Sequence, residues 1–201
     1  MMQQSKMAST IQSQGAQENG SPASMTGVWA GIAAVIMTFA ALTSAMVVRQ
    51  GTSNDWRHLA LPNILYIDTL ALIASSLTLQ IARRRFTALT KGSPQDARAT
   101  FSALYGTLAL GIIFVVGQCM AWIELRSDGI YLSTSPNSAF FYVLTAFHAL
   151  YFIGGLVGLV HVVRKLRRTA LRRNTLDAAS YYWHFMDILW LYLLFVLWMK
   201  L

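Results

Sequence analysis

Ser180–Met199 reads SYYWHFMDILWLYLLFVLWM, an apolar and aromatic run interrupted by His184 and Asp187. A helix needs about 20 such residues to cross the hydrocarbon core of a bilayer. An ionisable side chain at mid-membrane costs about 2.5–3.5 kcal/mol on insertion scales. His184 and Asp187 are three positions apart, so they share one side of a helix with Ser180. We therefore predict a membrane helix that turns this polar side toward other helices.

The composition of the whole chain is that of an integral membrane protein. Of its 201 residues, 55% are apolar and 12% are charged, whereas a soluble domain has about 25% charged residues. The apolar residues form long blocks instead of the stripe typical of soluble helices. The single cysteine, Cys119, excludes an internal disulfide and a cysteine-based metal cluster, and we expect it to be a small packing residue.

Five apolar segments are long enough to be membrane spans. They lie at about residues 27–48, 61–81, 101–123, 139–163 and 179–199, separated by connectors rich in turn-forming residues. Residues 1–24 are polar, rich in Gln and Ser, and lack the apolar core of a signal peptide, which predicts a flexible tail. The chain is thus predicted to be all-α, with one five-helix membrane bundle over residues 25–201.

The distribution of Lys and Arg predicts the orientation. The connectors after the second and fourth segments contain eleven of these residues, and those after the first and third contain three, Arg49, Arg57 and Arg126. The positive-inside rule then places the tail and N-terminus in the cytoplasm and the C-terminus in the periplasm. The net charge of +8 is explained by this topology and by attraction to anionic lipids, so nucleic-acid binding is not expected.

Several polar residues lie within the predicted spans. Asp68 is predicted to form hydrogen bonds with a neighbouring helix, and the alternative is a proton-relay carboxylate. Gln118 is predicted to join helices, and Glu124 to reach the outer interface. Gly27–Gly31 and Gly154–Gly158 have the four-residue spacing of close helix contacts.

Two histidines are placed near mid-membrane. If the last two helices are antiparallel neighbours, His148 approaches the His184–Asp187 face, and a contact between His148 and Asp187 would offset the desolvation of both. The alternative is that His148 and His184 ligate a b-type haem. No GxSxG, P-loop, HExxH or Cys/His cluster is present, so the residues alone predict no catalytic site and no metal site.

Several segments resemble one known family. The last one, SYYWHFMDILWLYLLFVLW, resembles the final helix of subunit III of haem–copper oxidases, whose pattern is YWHFVDxxWLxLF. FFYVLTAFHALYFIGGLVGLV resembles the preceding helix, FFxLTGxHxxHVxxG, and LGIIFVVGQCMAW resembles the LGxxFxxxQ helix. GVWAGIAAVIMTFAALTSAMVVR (27–49) and LPNILYIDTLALIASSLTL (61–79) resemble the first two helices of the five-helix bacterial form. The resemblance runs in order through 27–199.

The resemblance identifies individual positions and three departures. The matched family positions are His148, Trp183, His184, Asp187 and Trp190. A family carboxylate is replaced by Val35 in the first segment and by Ala121 in the third, and the second histidine of the fourth segment is replaced by Tyr151 or Phe152. These changes suggest a divergent branch of the family.

The resemblance implies a function for the chain. It would be a non-redox structural subunit III of a terminal oxidase in the bacterial inner membrane, where the complex oxidises cytochrome c, reduces dioxygen and translocates protons. Haem and copper would lie in partner subunits, with subunit I as the main contact and subunit II in the same complex. Phospholipid would be held in a cleft between the first two helices and the rest, and the chain itself would hold no cofactor.

Other functions stay open at this point. A quinol oxidase or a nitric oxide reductase could use a similar subunit. A different class of function is a free haem-b electron carrier that uses His148 and His184. A transporter is disfavoured because the sequence shows no interrupted spans or paired repeats.

Overall fold

The computed structural model describes residues 22–52, 62–89, 96–168 and 173–200. These residues form five long helices, one for each predicted segment. The helices are α1 (Pro22–Thr52), α2 (Ile64–Leu89), α3 (Asp96–Ser127), α4 (Pro136–Arg167) and α5 (Arg173–Lys200). Each is long and apolar enough to cross a membrane, so the prediction of an all-helical protein with five spans is confirmed.

The helix ends differ from the predicted boundaries. Most helices extend several residues past the apolar segments, because helix-favouring polar residues such as Arg83–Arg85 continue the backbone hydrogen bonding beyond the apolar core. α1 begins at Pro22, so the last three residues of the predicted tail are helical. Residues 1–21 of that tail lie outside the described part of the chain.

The turn between α3 and α4 has recognisable end signals. Gly129, just after α3, has φ 75°, in the left-handed region that glycine tolerates best. Ser135 caps α4: its side chain accepts a hydrogen bond from the Ser138 backbone N–H, and the Ser138 side chain accepts one from Ser135. Pro136 follows in the first turn of α4, where its missing N–H costs nothing.

Four of the helices close a bundle, and α1 lies outside it. α2 packs on α3, α3 on α4, α4 on α5, and α5 on α2, with the α2–α3 contact the most extensive. α1 packs on α4 and α5. The expectation that α4 and α5 are neighbours is therefore confirmed, and each of these two helices contacts three others.

The expected cleft between the first two helices and the rest is not formed by the described residues. α1 and α2 do not contact each other, and α2 is a full member of the bundle through α3 and α5. The physical reason is the set of polar side chains on α2, which form hydrogen bonds with α3 and α5.

Both the interior and the outer surface of the bundle are apolar. The interior contains large buried aromatic side chains, among them Phe114, Phe152, Trp183 and Trp190. The outward faces expose large apolar side chains on every helix, such as Met37, Leu70, Ile123, Val157 and Trp198. An apolar outside suits a bundle surrounded by lipid, where only the polar seams between helices need partners.

Candidate functional site

The aromatic motif of α5 is bonded to α2. Trp183 donates its Nε1–H to the Ser75 hydroxyl at 3.0 Å, and Trp190 donates to the Thr69 hydroxyl, also at 3.0 Å. Both tryptophans are buried. As residue numbers fall along α2 they rise along α5, as antiparallel helices require. Ser75 and Thr69 were not singled out in the sequence, although hydroxyls facing a tryptophan-rich helix are typical interhelical donors and acceptors.

The same α2–α5 seam holds His184 and Asp187. His184 Nδ1 lies 2.5 Å from the Ser76 hydroxyl. Asp187 is 8% exposed, and among the described residues neither of its carboxyl oxygens has a hydrogen-bond partner. Ser76 lies beside Asp187 as well, but outside hydrogen-bond geometry. The buried Ser180 hydroxyl likewise has no partner in the described part of the chain. α5 therefore turns its polar side toward another helix, with α2 as the neighbour that bonds His184.

An ion pair joins α2 and α5 at their basic end. Arg83 Nε donates to Asp177 at 2.6 Å, and the guanidinium lies 5.2 Å from the centre of the Tyr181 ring. Tyr181 stacks on Trp29 of α1, with ring centres 6.4 Å apart. Arg173 is a second, more exposed cation 3.8 Å from Asp177. From the sequence, Arg83 was expected to have a topological role only, and the structure adds a link between three helices.

Asp68 and Gln118 meet between α2 and α3. Gln118 Nε2 donates to Asp68 Oδ2 at 3.3 Å, and Asp68 is 2% exposed. Gly117 allows this approach, because a Cβ at its position would overlap the Asp68 carboxyl group. Asp68 faces α3, and α2 does not contact α1. Asp68 therefore does not occupy the region of Val35, the buried α1 residue where the resemblance implies a carboxylate.

His148 lies in an aromatic box. Its ring is fully buried, with the ring centres of Trp190, Phe114 and Phe152 at 5.1, 5.7 and 6.0 Å. Neither ring nitrogen has a hydrogen-bond partner among the described residues, so the expected contact with Asp187 is not formed. Trp190 fills the space beside the imidazole instead. With three aromatic rings packed on it, His148 has no room for the plane of a haem.

The departures from the family pattern are filled by packing residues. Ala121 is fully buried on α3. Tyr151 accepts a hydrogen bond from the Tyr182 hydroxyl at its backbone oxygen, 2.9 Å away, and its own hydroxyl lies 3.4 Å from the Thr38 hydroxyl of α1. Phe152 packs in the aromatic core. These positions therefore join α4 to α1, α3 and α5.

Two expectations about small residues are wrong. A Cβ on Gly27, Gly31, Gly154 or Gly158 would meet nothing within 4 Å, so within the described residues these glycines do not mark close helix contacts. Cys119 is exposed on the outer side of α3 and does not pack in the interior. The periodic spacing identified the glycines, but spacing does not indicate which side of a helix has a neighbour.

The open glycines of α4 border a groove between α1, α4 and α5. The groove has a volume of about 530 Å³. Its walls are mostly small or apolar, with His161, Lys165 and Thr175 at the end where the basic α4–α5 connector lies. The lining residues are Val28, Gly154, Gly155, Gly158, His161, Val162, Lys165, Thr175, Ala178, Ala179 and Tyr182.

Comparison with known proteins agrees with this arrangement. The profile of the family described as "Cytochrome c oxidase subunit III" matches residues 29–200. Cytochrome c oxidase subunit 3 of Corynebacterium diphtheriae is 33% identical over 146 residues, covering 69% of this chain and 68% of the relative. A probable cytochrome c oxidase subunit 3 of Nocardia farcinica is 32% identical over 178 residues, covering 83% and 81%. That of Mycobacterium leprae is 36% identical over 135 residues, covering 64% and 62%.

The profile match spans all five helices and includes the α4 and α5 motifs that carry the resemblance. The matches to the Corynebacterium diphtheriae and Nocardia farcinica relatives cover more than two thirds of this chain. The chain belongs to the cytochrome c oxidase subunit III family and is a multi-pass membrane subunit of a haem–copper oxidase complex.

Proposed function

We propose that this chain is a non-redox structural subunit of a bacterial cytochrome c oxidase, located in the inner membrane. The complex would pass electrons from cytochrome c to dioxygen and translocate protons. The chain would pack against subunit I, with subunit II in the same complex, and the haems and copper would be held by those partners. The observation that carries the proposal is the family match over all five helices together with the use of the motif residues in helix packing.

The bonding of the motif residues supports a structural role. The two tryptophans of the α5 motif donate to α2, and His184 is bonded to Ser76. His148 is enclosed by aromatic rings. Within the described ranges, His, Cys, Asp and Glu form no group of three or more that could hold a metal ion. Hydrogen bonding and packing by the motif residues suit a subunit that stabilises its partners.

The groove between α1, α4 and α5 supports the binding of one phospholipid. Its volume of about 530 Å³ and its small, apolar walls suit an acyl chain. Lys165 and His161 stand at the basic end, where a lipid phosphate of the cytoplasmic leaflet would lie under the positive-inside orientation. The site differs from the expected cleft, because α1 alone forms the wall opposite α4 and α5.

Co-purification tests the subunit assignment. The chain is tagged and extracted in mild detergent, and the associated subunits, the reduced-minus-oxidised spectrum and oxygen consumption are recorded. We expect large haem–copper subunits, oxygen consumption and cytochrome c oxidation. A partner that oxidises quinol or reduces nitric oxide would replace the proposed complex. A chain that purifies alone with bound haem, lost in His148→Ala, would overturn the structural role.

A pair of glycine variants tests the lipid site. Gly158→Leu fills the groove, and its Cβ meets nothing within 4 Å in the chain itself. Gly31→Leu is the matched control, since Gly31 is equally open but does not line the groove. Native mass spectrometry of the complex should show loss of one phospholipid in Gly158→Leu and none in the control. Equal lipid content in both variants would contradict the site.

A further inference from the structure

A line of polar residues follows one face of α5 from its basic end to mid-membrane. The residues are Asp177, Ser180, His184 and Asp187, spaced three or four apart, so they lie on one side of the helix. Asp187 lies ten positions after Asp177, which is about 15 Å along the helix at 1.5 Å per residue. That is about half of the roughly 30 Å hydrocarbon core. It therefore leads from the membrane surface to the middle of the bundle.

α2 supplies polar residues on the other side of the line. Arg83 pairs with Asp177 at the mouth, and its side chain is still 27% exposed. Ser76 bonds His184 one turn before Asp187. Trp183 and Trp190 flank the line, but their N–H groups are used by Ser75 and Thr69. The tryptophans therefore provide walls without providing hydrogen bonds to the polar atoms in between.

The inner atoms of this line are buried and unpartnered. The Ser180 hydroxyl and both Asp187 carboxyl oxygens are buried and have no hydrogen-bond partner among the described residues. A buried polar group without a partner costs about 1–3 kcal/mol, and a charged group costs more. In proteins, such groups commonly bind internal water molecules, each of which forms about three hydrogen bonds. Three unpartnered atoms lie along one line that begins at the partly exposed Arg83–Asp177 pair. This arrangement favours internal water as their partner.

We propose that the α2–α5 seam is a water-filled path from the basic end of the bundle to Asp187. The ligand is water, bound by Ser180, by the polar groups of Ser76 and His184, and by the Asp187 carboxyl group at the inner end. Trp190 and the aromatic box beyond it close the path. Protons from the water at the basic end of the bundle thereby reach the Asp187 carboxyl group at mid-membrane. This inference goes beyond the structural role proposed above and does not depend on which oxidase contains the chain.

Cysteine accessibility in the assembled complex tests the path. In a Cys119→Ala background, Ser180→Cys, Asp187→Cys and Thr107→Cys are exposed, in membrane vesicles, to a small water-soluble cationic thiosulfonate. Thr107 is the matched control because it is fully buried and its hydroxyl already has a partner, the Thr78 hydroxyl of α2 at 2.9 Å. We expect Ser180→Cys and Asp187→Cys to be labelled at least tenfold faster than Thr107→Cys.

Labelling of Ser180→Cys and Asp187→Cys at the slow rate of Thr107→Cys would overturn the proposal. Because either α5 variant could fail to assemble, Ser76→Cys provides the same measurement from α2. Assembly of each variant is checked by co-purification with its partner subunits. Labelling of Ser180→Cys without Asp187→Cys would also contradict the proposal, since the path would then end before the carboxyl group.

Discussion

Gly117 of α3 lies directly against the carboxyl group of Asp68 of α2, at a position where any Cβ would overlap the carboxyl atoms. We expect Gly117→Ala to lower the free energy of unfolding by about 1–3 kcal/mol, the usual cost of overpacking. Asp68 would have to move and would lose its 3.3 Å hydrogen bond from Gln118. Thermal unfolding of the detergent-solubilised complex measures the change.

Gly106 provides the control on the same helix. A Cβ there would meet only Thr78 Cγ2, at an ordinary 3.9 Å. Alanine is favoured over glycine inside a helix by about 1 kcal/mol, so Gly106→Ala should be as stable as the parent chain or more stable. Equal stability of the Gly117→Ala and Gly106→Ala variants would show that the close approach of α2 and α3 at Asp68 is not required.

The Asp68–Gln118 pair should matter for packing and not for turnover. Asp68→Asn keeps an oxygen that accepts from Gln118, so we expect assembly and oxygen consumption close to those of the parent complex. Asp68→Leu leaves the buried Gln118 amide without its partner and should cost about 1–3 kcal/mol. Adding Gln118→Met removes the unpartnered amide and should restore most of that stability.

The measurements are the yield of complex, its unfolding temperature and its proton translocation. The proton-relay alternative for Asp68 makes the opposite prediction for Asp68→Asn. A large loss of proton translocation in that variant, with normal assembly, would reject the packing role and favour the relay.

The fold was largely predictable, because each membrane span can be identified from its own stretch of sequence. About 20 apolar residues between turn-rich connectors suffice to identify a membrane helix, and all five segments appear as helices. The sequence of a single span does not show which helices are its neighbours. α1 and α2 follow each other in sequence, yet both pack on α5 and not on each other.

The partners of the motif residues were the least predictable part. His184 and Asp187 stood out because they are ionisable in an apolar run, whereas Ser75 and Ser76 are ordinary small residues on their own. A usable signal was present: Thr69, Ser76 and Arg83 recur every seven residues on α2, the spacing of one helix face. Gly117 belongs to no spaced motif, yet of the described glycines it has the closest neighbour, the Asp68 carboxyl group. A glycine is required there because of the side chain on the neighbouring helix, and the local sequence around Gly117 does not show it.

The hydrogen bond between Trp183 and Ser75 should be measurable as a coupling energy. In membrane proteins, interhelical hydrogen bonds contribute about 0.6 kcal/mol on average and up to about 1.7 kcal/mol. We expect a double-mutant cycle of Trp183→Phe and Ser75→Ala to give a coupling in that range, measured by reversible unfolding in detergent. Trp183→Phe with Thr69→Ala is the control cycle, because Thr69 accepts from Trp190. A coupling no larger than that of the control would contradict the bond.

The ion pair between Arg83 and Asp177 should stabilise the basic end of the bundle. The side chains are 27% and 16% exposed, so we expect Arg83→Ala to cost about 1 kcal/mol, less at high salt because the pair is partly screened. Arg83→Lys should be intermediate, since lysine keeps the charge but loses the Nε donor and the planar contact with Tyr181.

Arg84→Ala is the matched control for the ion pair. Arg84 is the next residue on α2 and is exposed, so its replacement should change stability by no more than about 0.5 kcal/mol. Arg83→Asp combined with Asp177→Arg restores opposite charges across the seam and should recover part of the loss of either single change. Unfolding temperatures at low and high salt measure all of these variants. If Arg83→Ala were as stable as Arg84→Ala at low salt, the pair would contribute nothing, and α2 and α5 would be held at this end by packing alone.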